Sequence, residues 1–323
     1  MPKVFITRSI PEAGIKMLKE KGYEVLINEK ARDRAASEKE MINGAKNADA
    51  MLSVLTDKIT AKIMDAGKPT LKIIANYAVG FDNIDLEATK ARNIMVSNTP
   101  GVLTDTVAEH TFSLMLAIAH RISEADRFSR AGKYKAWGPE LLLGTDLSGK
   151  TLGVIGLGRI GSRVAHHAVK GFEMKVVYTD IKQDLEFERE YGAVFARSAD
   201  ELLPLCDFVS LHVPLLSATH HLMNESRLKM MKPTAYLINT ARGPVIDEKA
   251  LALSLSKGWI AGAAIDVFEF EPEITKNLKK LDNIILTPHI ASATRETRDK
   301  MAILAAENII AGLSGQVPPN LIR

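Results

Sequence analysis

Short apolar runs alternate with amphipathic stretches along almost the whole 323-residue chain, the pattern of repeated βα units around a parallel sheet. Near the amino terminus the pattern predicts strands at Lys3–Thr7, Tyr23–Ile27, Ala50–Val54, Leu71–Asn76 and Ile94–Val96. Helical spacing fills the gaps near Ala13–Lys21, Glu38–Ala45, Ala61–Ala66 and Leu86–Arg92. Five strands with four crossover helices make a small doubly wound domain of the flavodoxin type. A second series runs through Thr151–Ile155, Lys175–Thr179, Phe208–His212, Ala235–Asn239, Ala261–Val267 and Ile284–Leu286. Six strands in that arrangement predict a complete Rossmann dinucleotide fold, so the fold class expected is α/β with two doubly wound parallel-sheet domains.

A helix between the two series opens after Asn98-Thr99-Pro100-Gly101, where Thr106 and Glu109 have the spacing of a capping box. Its apolar face is read as Val107, Leu114, Ile118 and Ile122. A last helix, about Arg295 to Leu313, has no strand left to join in the second series and is expected to pack back on the first. The division that follows is a substrate domain of residues 1–98 plus 288–323 and a NAD-binding domain of residues 99–287.

Composition narrows the picture. Forty-two basic against 39 acidic side chains leave a net charge of +3 with no Lys/Arg cluster, so no nucleic-acid partner is expected. The single Cys206 excludes disulfide scaffolding and cysteine-based metal sites, and it precedes a buried strand as a small core residue. His166-His167 are adjacent rather than one helical turn apart, and no metal is expected. The chain opens directly as a strand, and its most apolar helical stretch, Thr111 to Ala119, is about half a bilayer span. A cytosolic location without membrane contact is expected.

Thr151-Leu-Gly-Val-Ile-Gly156-Leu-Gly158-Arg159-Ile160-Gly161 is a strand entering a glycine-rich turn that opens a helix, the context a dinucleotide motif requires. Gly156 permits the turn, Gly158 lets a pyrophosphate approach the backbone, and Gly161 allows close helix–strand packing. Asp180 ends the next strand 19 positions beyond Gly161, where a ribose 2′-hydroxyl acceptor belongs, and its charge favours NAD over NADP.

Three ionisable residues follow later strands of the same fold, on the carboxyl side where open α/β sheets bind ligands: Arg242, Glu271 and His289. Hydride transfer to a 2-oxo acid calls for this set. A guanidinium can grip a carboxylate and stabilise charge growing on the carbonyl oxygen. An imidazole can protonate that oxygen, and a carboxylate on its other nitrogen favours imidazolium.

These residues resemble a known family. The glycine turn, Asn239-Thr-Ala-Arg242-Gly243-Pro-Val-Ile-Asp247 and Thr287-Pro-His289-Ile-Ala look like signatures of the D-isomer-specific 2-hydroxyacid dehydrogenases. Asn76-Tyr-Ala-Val79-Gly80-Phe-Asp82-Asn83-Ile-Asp85 and Asn98-Thr-Pro-Gly101 extend the match over essentially the whole chain. The resemblance implies that the amides of Val79 and Gly80, with Arg242, bind the substrate carboxylate. It implies a catalytic set of Arg242, Glu271 and His289. It also implies that Thr104, Leu211, Val213, Pro214, Thr240 and Asp266 line the cofactor, beside Gly156, Gly158, Arg159, Ile160, Gly161 and Asp180.

Within the family, Ala75–Gly80 and Trp137 look most like glyoxylate and hydroxypyruvate reductases, and a homodimer is expected. The related formate dehydrogenases carry glutamine where this chain has Glu271. NADPH-preferring reductases replace the acid at Asp180 with small and basic residues, so the expected cofactor is NAD. The substrate expected is a small 2-oxo or D-2-hydroxy acid. Two alternatives are a D-3-phosphoglycerate dehydrogenase lacking a regulatory domain and a non-enzymatic NAD sensor like the related transcriptional corepressors. Folded patterning from Lys3 to near Arg323, without disordered tails, speaks against the corepressor.

Overall fold

The computed structural model describes every residue except Asp33 and Arg323. Its contacts divide the chain into two compact units, Met1–Leu103 with the chain from Ala293 onward, and Thr104–Ser292. The divisions expected after Asn98 and after Thr287 fall a few residues earlier, for a hydrogen-bonding reason. Asn98 and Thr99 bond back to Val79 and Ala78 of the first unit, while Thr287, Ile290 and Ala291 bond to Asp266 of the second.

The first unit is a parallel sheet of β1 (Lys3–Ile6), β2 (Glu24–Ile27), β3 (Ala50–Val54), β4 (Ile73–Tyr77) and β5 (Met95–Ser97) in the order β2-β1-β3-β4-β5. This is the flavodoxin-type order, with crossover helices covering the faces. The helix Glu38–Ala45 begins where it does because Ser37 and Glu40 form a capping box. Asp85 caps the helix Leu86–Lys90 in the same sense by accepting from the Ala88 amide. Phe5, Met51, Ile63, Ile74 and Val96 fill one core layer.

The carboxyl-terminal helix Arg295–Leu313 returns to this unit. The Tyr77 hydroxyl donates to the Arg298 carbonyl at 2.7 Å, and beyond the helix Leu321 pairs with Ser97. Burial of Tyr77 pushes its phenol up to about 12, so it remains a donor throughout the working range.

The second unit holds β6 (Thr151–Ile155), β7 (Lys175–Thr179), β8 (Val194–Phe195), β9 (Phe208–Leu211), β10 (Tyr236–Asn239), β11 (Gly262–Ile265) and β12 (Ile284–Leu286). All run parallel in the order β12-β11-β10-β9-β6-β7-β8, so the strand order reverses between β6 and β9. Ligands of such sheets bind at that switch point, outside the carboxyl ends. Tyr178 and Phe208 are fully buried in the core, each stabilising the fold by about 1.5–3 kcal/mol. Cys206 is wholly buried, its thiol donating to the Leu202 carbonyl, and burial pushes it up to about 12.

Three local expectations need correction. The sheet has seven strands rather than six, because Val194–Phe195 pairs with Val177 and Tyr178 at the edge. A strand of two residues, with Val194 exposed, leaves no periodic signal. The helix Thr104–Ala119 starts two positions ahead of the proposed capping box, which places Thr106 within its first turn. Its buried face does include Val107, Leu114 and Ile118, but Ile122 is 55% exposed. Arg121, in left-handed conformation, ends the run, and Ile122–Arg130 forms a separate helix. Among the described residues no helix is long and apolar enough to cross a membrane.

Candidate active site

The glycine turn joins β6 to the helix Arg159–Phe172 at the switch point. Gly156 has φ 96°, and a Cβ there would lie 2.8 Å from the His212 carbonyl carbon, so both conformation and space demand glycine. A Cβ on Gly161 would lie 2.0 Å from the Gly156 oxygen. Gly158 differs. Its backbone is ordinary extended chain, and a Cβ would meet nothing within 4 Å. The protein's own packing gives no reason for glycine at 158, whereas a phosphate seated against the turn and the amides opening at Arg159 and Ile160 gives one.

Asp180, half-buried at the end of β7, lies beside this turn. Its carboxylate accepts from the Leu157 amide and the Ile181 amide, each at 2.6 Å, and is thereby fixed beside the turn. Across the switch point β9 ends at Leu211, whose side chain is wholly buried, so contact with a ligand there falls to backbone and to the more exposed Val213 and Pro214. Thr104 opens its helix at the unit's first residue. Thr240 follows β10 with its hydroxyl 3.0 Å from that of Thr111.

The ionisable set stands at the ends of β10, β11 and β12. Arg242 follows β10 on a turn shaped by the buried Asn239, whose side chain accepts from the Ala241 amide and donates to the Arg242 carbonyl. The next residue must be glycine, since a Cβ on Gly243 would lie 1.9 Å from the Phe268 carbonyl. That contact presses the Arg242 turn against the segment leading to Glu271. Glu271 is oriented by the Phe268 amide at 3.0 Å, and its two oxygens lie 3.0 and 3.1 Å from Nδ1 of His289. Both side chains are a quarter exposed, so Nδ1 faces the carboxylate while Nε2 is the nitrogen left for a ligand.

His289 has φ 54°, a left-handed conformation that costs a residue with a side chain of the order of 1–3 kcal/mol. Asp266 offsets that cost. Its carbonyl accepts from the His289 amide, and its carboxylate accepts from Thr287 Oγ1, Ile290 N and Ala291 N at 2.6, 2.9 and 2.7 Å. Asp266 is completely buried. Desolvation would raise its carboxyl, but His110, Thr287 and the two amides outweigh that and hold it below the usual range. Its carboxylate is therefore engaged by the chain itself as the anchor of the His289 loop, a role the sequence reading missed along with Asn239 and His110.

Val79 and Gly80 belong to the first unit, half-buried on the loop after β4.

Residues 112–291 match the family model described as D-isomer specific 2-hydroxyacid dehydrogenase, NAD binding domain. A glyoxylate reductase of Thermofilum pendens is 50% identical over all of this chain and 94% of that protein. The chain belongs to the D-isomer-specific 2-hydroxyacid dehydrogenases. The dehydrogenase is also similar to the TT0316 protein from Thermus thermophilus, at 43% identity and a TM-score of 0.93 over 99% of this chain and 100% of that one. D-lactate dehydrogenase from Aquifex aeolicus, solved with NAD and lactic acid, matches at 32% identity and a TM-score of 0.85 over 99% and 98%. The cofactor of this dehydrogenase is a nicotinamide dinucleotide, and the turn around Gly158 fits it.

Proposed function

We propose that this dehydrogenase reduces glyoxylate or hydroxypyruvate with NADH, the second unit binding the dinucleotide and the first serving as the substrate domain. The observation that carries the reading is the two-oxygen contact of Glu271 with Nδ1 of His289, in the same unit as Arg242 and the glycine turn. Bound NADH supplies the hydride. Nε2 of His289 gives a proton to the carbonyl oxygen as hydride reaches the carbonyl carbon and the C=O group becomes an alcohol, and the Glu271 carboxylate orients the ring through Nδ1. Arg242 grips the substrate carboxylate and stabilises charge gathering on the carbonyl oxygen. In the first unit, the Val79 and Gly80 amides are the donors assigned to a substrate carboxylate.

Asp180 supports NADH over NADPH, because a 2′-phosphate beside a fixed carboxylate meets like charge. The name of the Thermofilum relative supports glyoxylate. A cytosolic homodimer belongs to the same reading, with the exposed Tyr134, Trp137 and Leu143 as apolar surface for a second copy.

Steady-state kinetics with NADH and NADPH against glyoxylate, hydroxypyruvate, pyruvate and phosphohydroxypyruvate test it. The highest kcat/KM is expected with NADH and one of the first two acids. A clear preference for phosphohydroxypyruvate assigns the protein instead to phosphoglycerate oxidation, and no turnover of any of the four overturns the reading.

A further inference from the structure

The loop after β4 carries an arrangement that the assignment of Val79 and Gly80 does not explain. Three consecutive carbonyls on it are each taken up by a donor of the first unit. Ala78 O accepts from the Thr99 amide at 2.9 Å, Val79 O from the Asn98 side chain at 2.7 Å, and Gly80 O from the Asn76 side chain at 2.8 Å. Among the described residues, neither the Val79 nor the Gly80 N–H donates to any backbone or side-chain acceptor.

A trans peptide is planar, and its C=O and N–H point in opposite directions. Fixing the Ala78 carbonyl on Thr99 therefore aims the Val79 N–H the other way, and fixing the Val79 carbonyl on Asn98 does the same for the Gly80 N–H. We infer that Asn98 is a positioning residue for substrate binding, locking the Val79–Gly80 peptide so that its N–H faces the substrate carboxylate; this rests on the proposed reading of that loop.

Neighbouring groups hold Asn98 and Asn76 in turn. The buried Asn308 of the carboxyl-terminal helix reaches the Asn98 carbonyl at 3.5 Å, and Asn320 accepts from the Asn98 amide at 3.4 Å while pairing with Asn308. Asn76, completely buried, accepts from Ser53 and exchanges hydrogen bonds with Asn83, whose side chain also donates to the carbonyls of Val54 and Asp57. The brace consists of neutral amides and a hydroxyl. The return of the chain after the second unit thus has a use beyond packing, because it buttresses the residue that aims the Gly80 donor.

The test compares wild type with Asn98→Ala at saturating NADH, reading KM and kcat for the preferred oxo acid. It also reads equilibrium binding of oxamate, a non-reducible carboxylate of similar shape, to the enzyme–NADH complex. Releasing one charge-assisted hydrogen bond should raise KM and the oxamate Kd about tenfold, with kcat nearly unchanged and NADH binding intact. Asn98→Ser, too short to reach the Val79 carbonyl, should behave alike and serves if the alanine variant does not fold. Gly80→Pro, which deletes the donor itself, separates the two claims. A raised KM in Gly80→Pro with wild-type KM and oxamate binding in the Asn98 variants overturns the positioning role alone. Unchanged binding in both kinds of variant overturns the loop's assignment and the inference with it.

Discussion

Two loops of this dehydrogenase are held by different chemistry. The Ala78–Gly80 loop of the first unit is fixed by backbone and asparagine amides, whereas the His289 loop of the second is fixed by Asp266, a fully buried carboxylate. The difference follows what each loop presents. Under the proposed function the first loop offers uncharged N–H groups to a substrate carboxylate, and a second carboxylate beside them would weaken that attraction, so neutral donors serve there. The second loop presents a left-handed histidine, the proposed proton donor, and three strong hydrogen bonds to the buried Asp266 carboxylate compensate its strained backbone.

The contrast breaks hardest at the charged loop. His289→Ala should lower the reduction rate by about 10²–10⁴, the usual contribution of general acid catalysis, while NADH still binds, as fluorescence titration would show. Next comes Arg242→Ala, which under the proposed function removes a carboxylate fork and an electrophile at about 1.5–3 kcal/mol each, for a loss in kcat/KM of about a hundredfold or more. Near wild-type kinetics in a folded Arg242→Ala protein would remove that residue from the mechanism.

Asp266→Asn sharpens the comparison through stability. The Asp266 carboxyl is held low in the fold, so its contribution is present above the unfolded carboxyl value of about 3.9 and is lost as pH falls through the folded value. Urea unfolding near neutral pH should show the variant about 1–3 kcal/mol less stable, with the gap narrowing in acid. A gap that stays constant down to acid pH would remove the charge from the account. The smallest effect is expected at Asp180→Ala, which should relax the NADH preference by roughly tenfold in the ratio of kcat/KM values for the two cofactors. A wild-type enzyme that favours NADPH would refute the argument from this carboxylate.

Much of this was legible beforehand because it is written locally. Apolar runs of four or five residues located the long strands, and the glycine turn announced itself by position, between a strand and a helix. The sequence offers Arg242, Glu271 and His289 as candidates because each follows a strand of one fold, but not the 3.0 and 3.1 Å contacts between Glu271 and His289. Nothing in the sequence states that a Cβ on Gly243 would strike Phe268, or that Asp266 anchors the loop 21 to 25 positions later. The asparagine brace was hidden for the same reason, since Asn98 and Asn308 lie 210 positions apart and amide side chains carry no pattern. The two-residue β8 and the left-handed break at Arg121 escaped because periodicity needs several residues to appear.

The central claim is that the Glu271 carboxylate on Nδ1 orients His289 for proton transfer, and turnover of Glu271→Gln tests it most directly. Glu271→Gln keeps the shape of the side chain and removes the charge facing Nδ1. Without the carboxylate that holds Nδ1, Glu271→Gln should lower kcat for oxo-acid reduction about tenfold or more while NADH still binds. Wild-type kcat in Glu271→Gln, with fold and NADH affinity intact, would contradict that pairing.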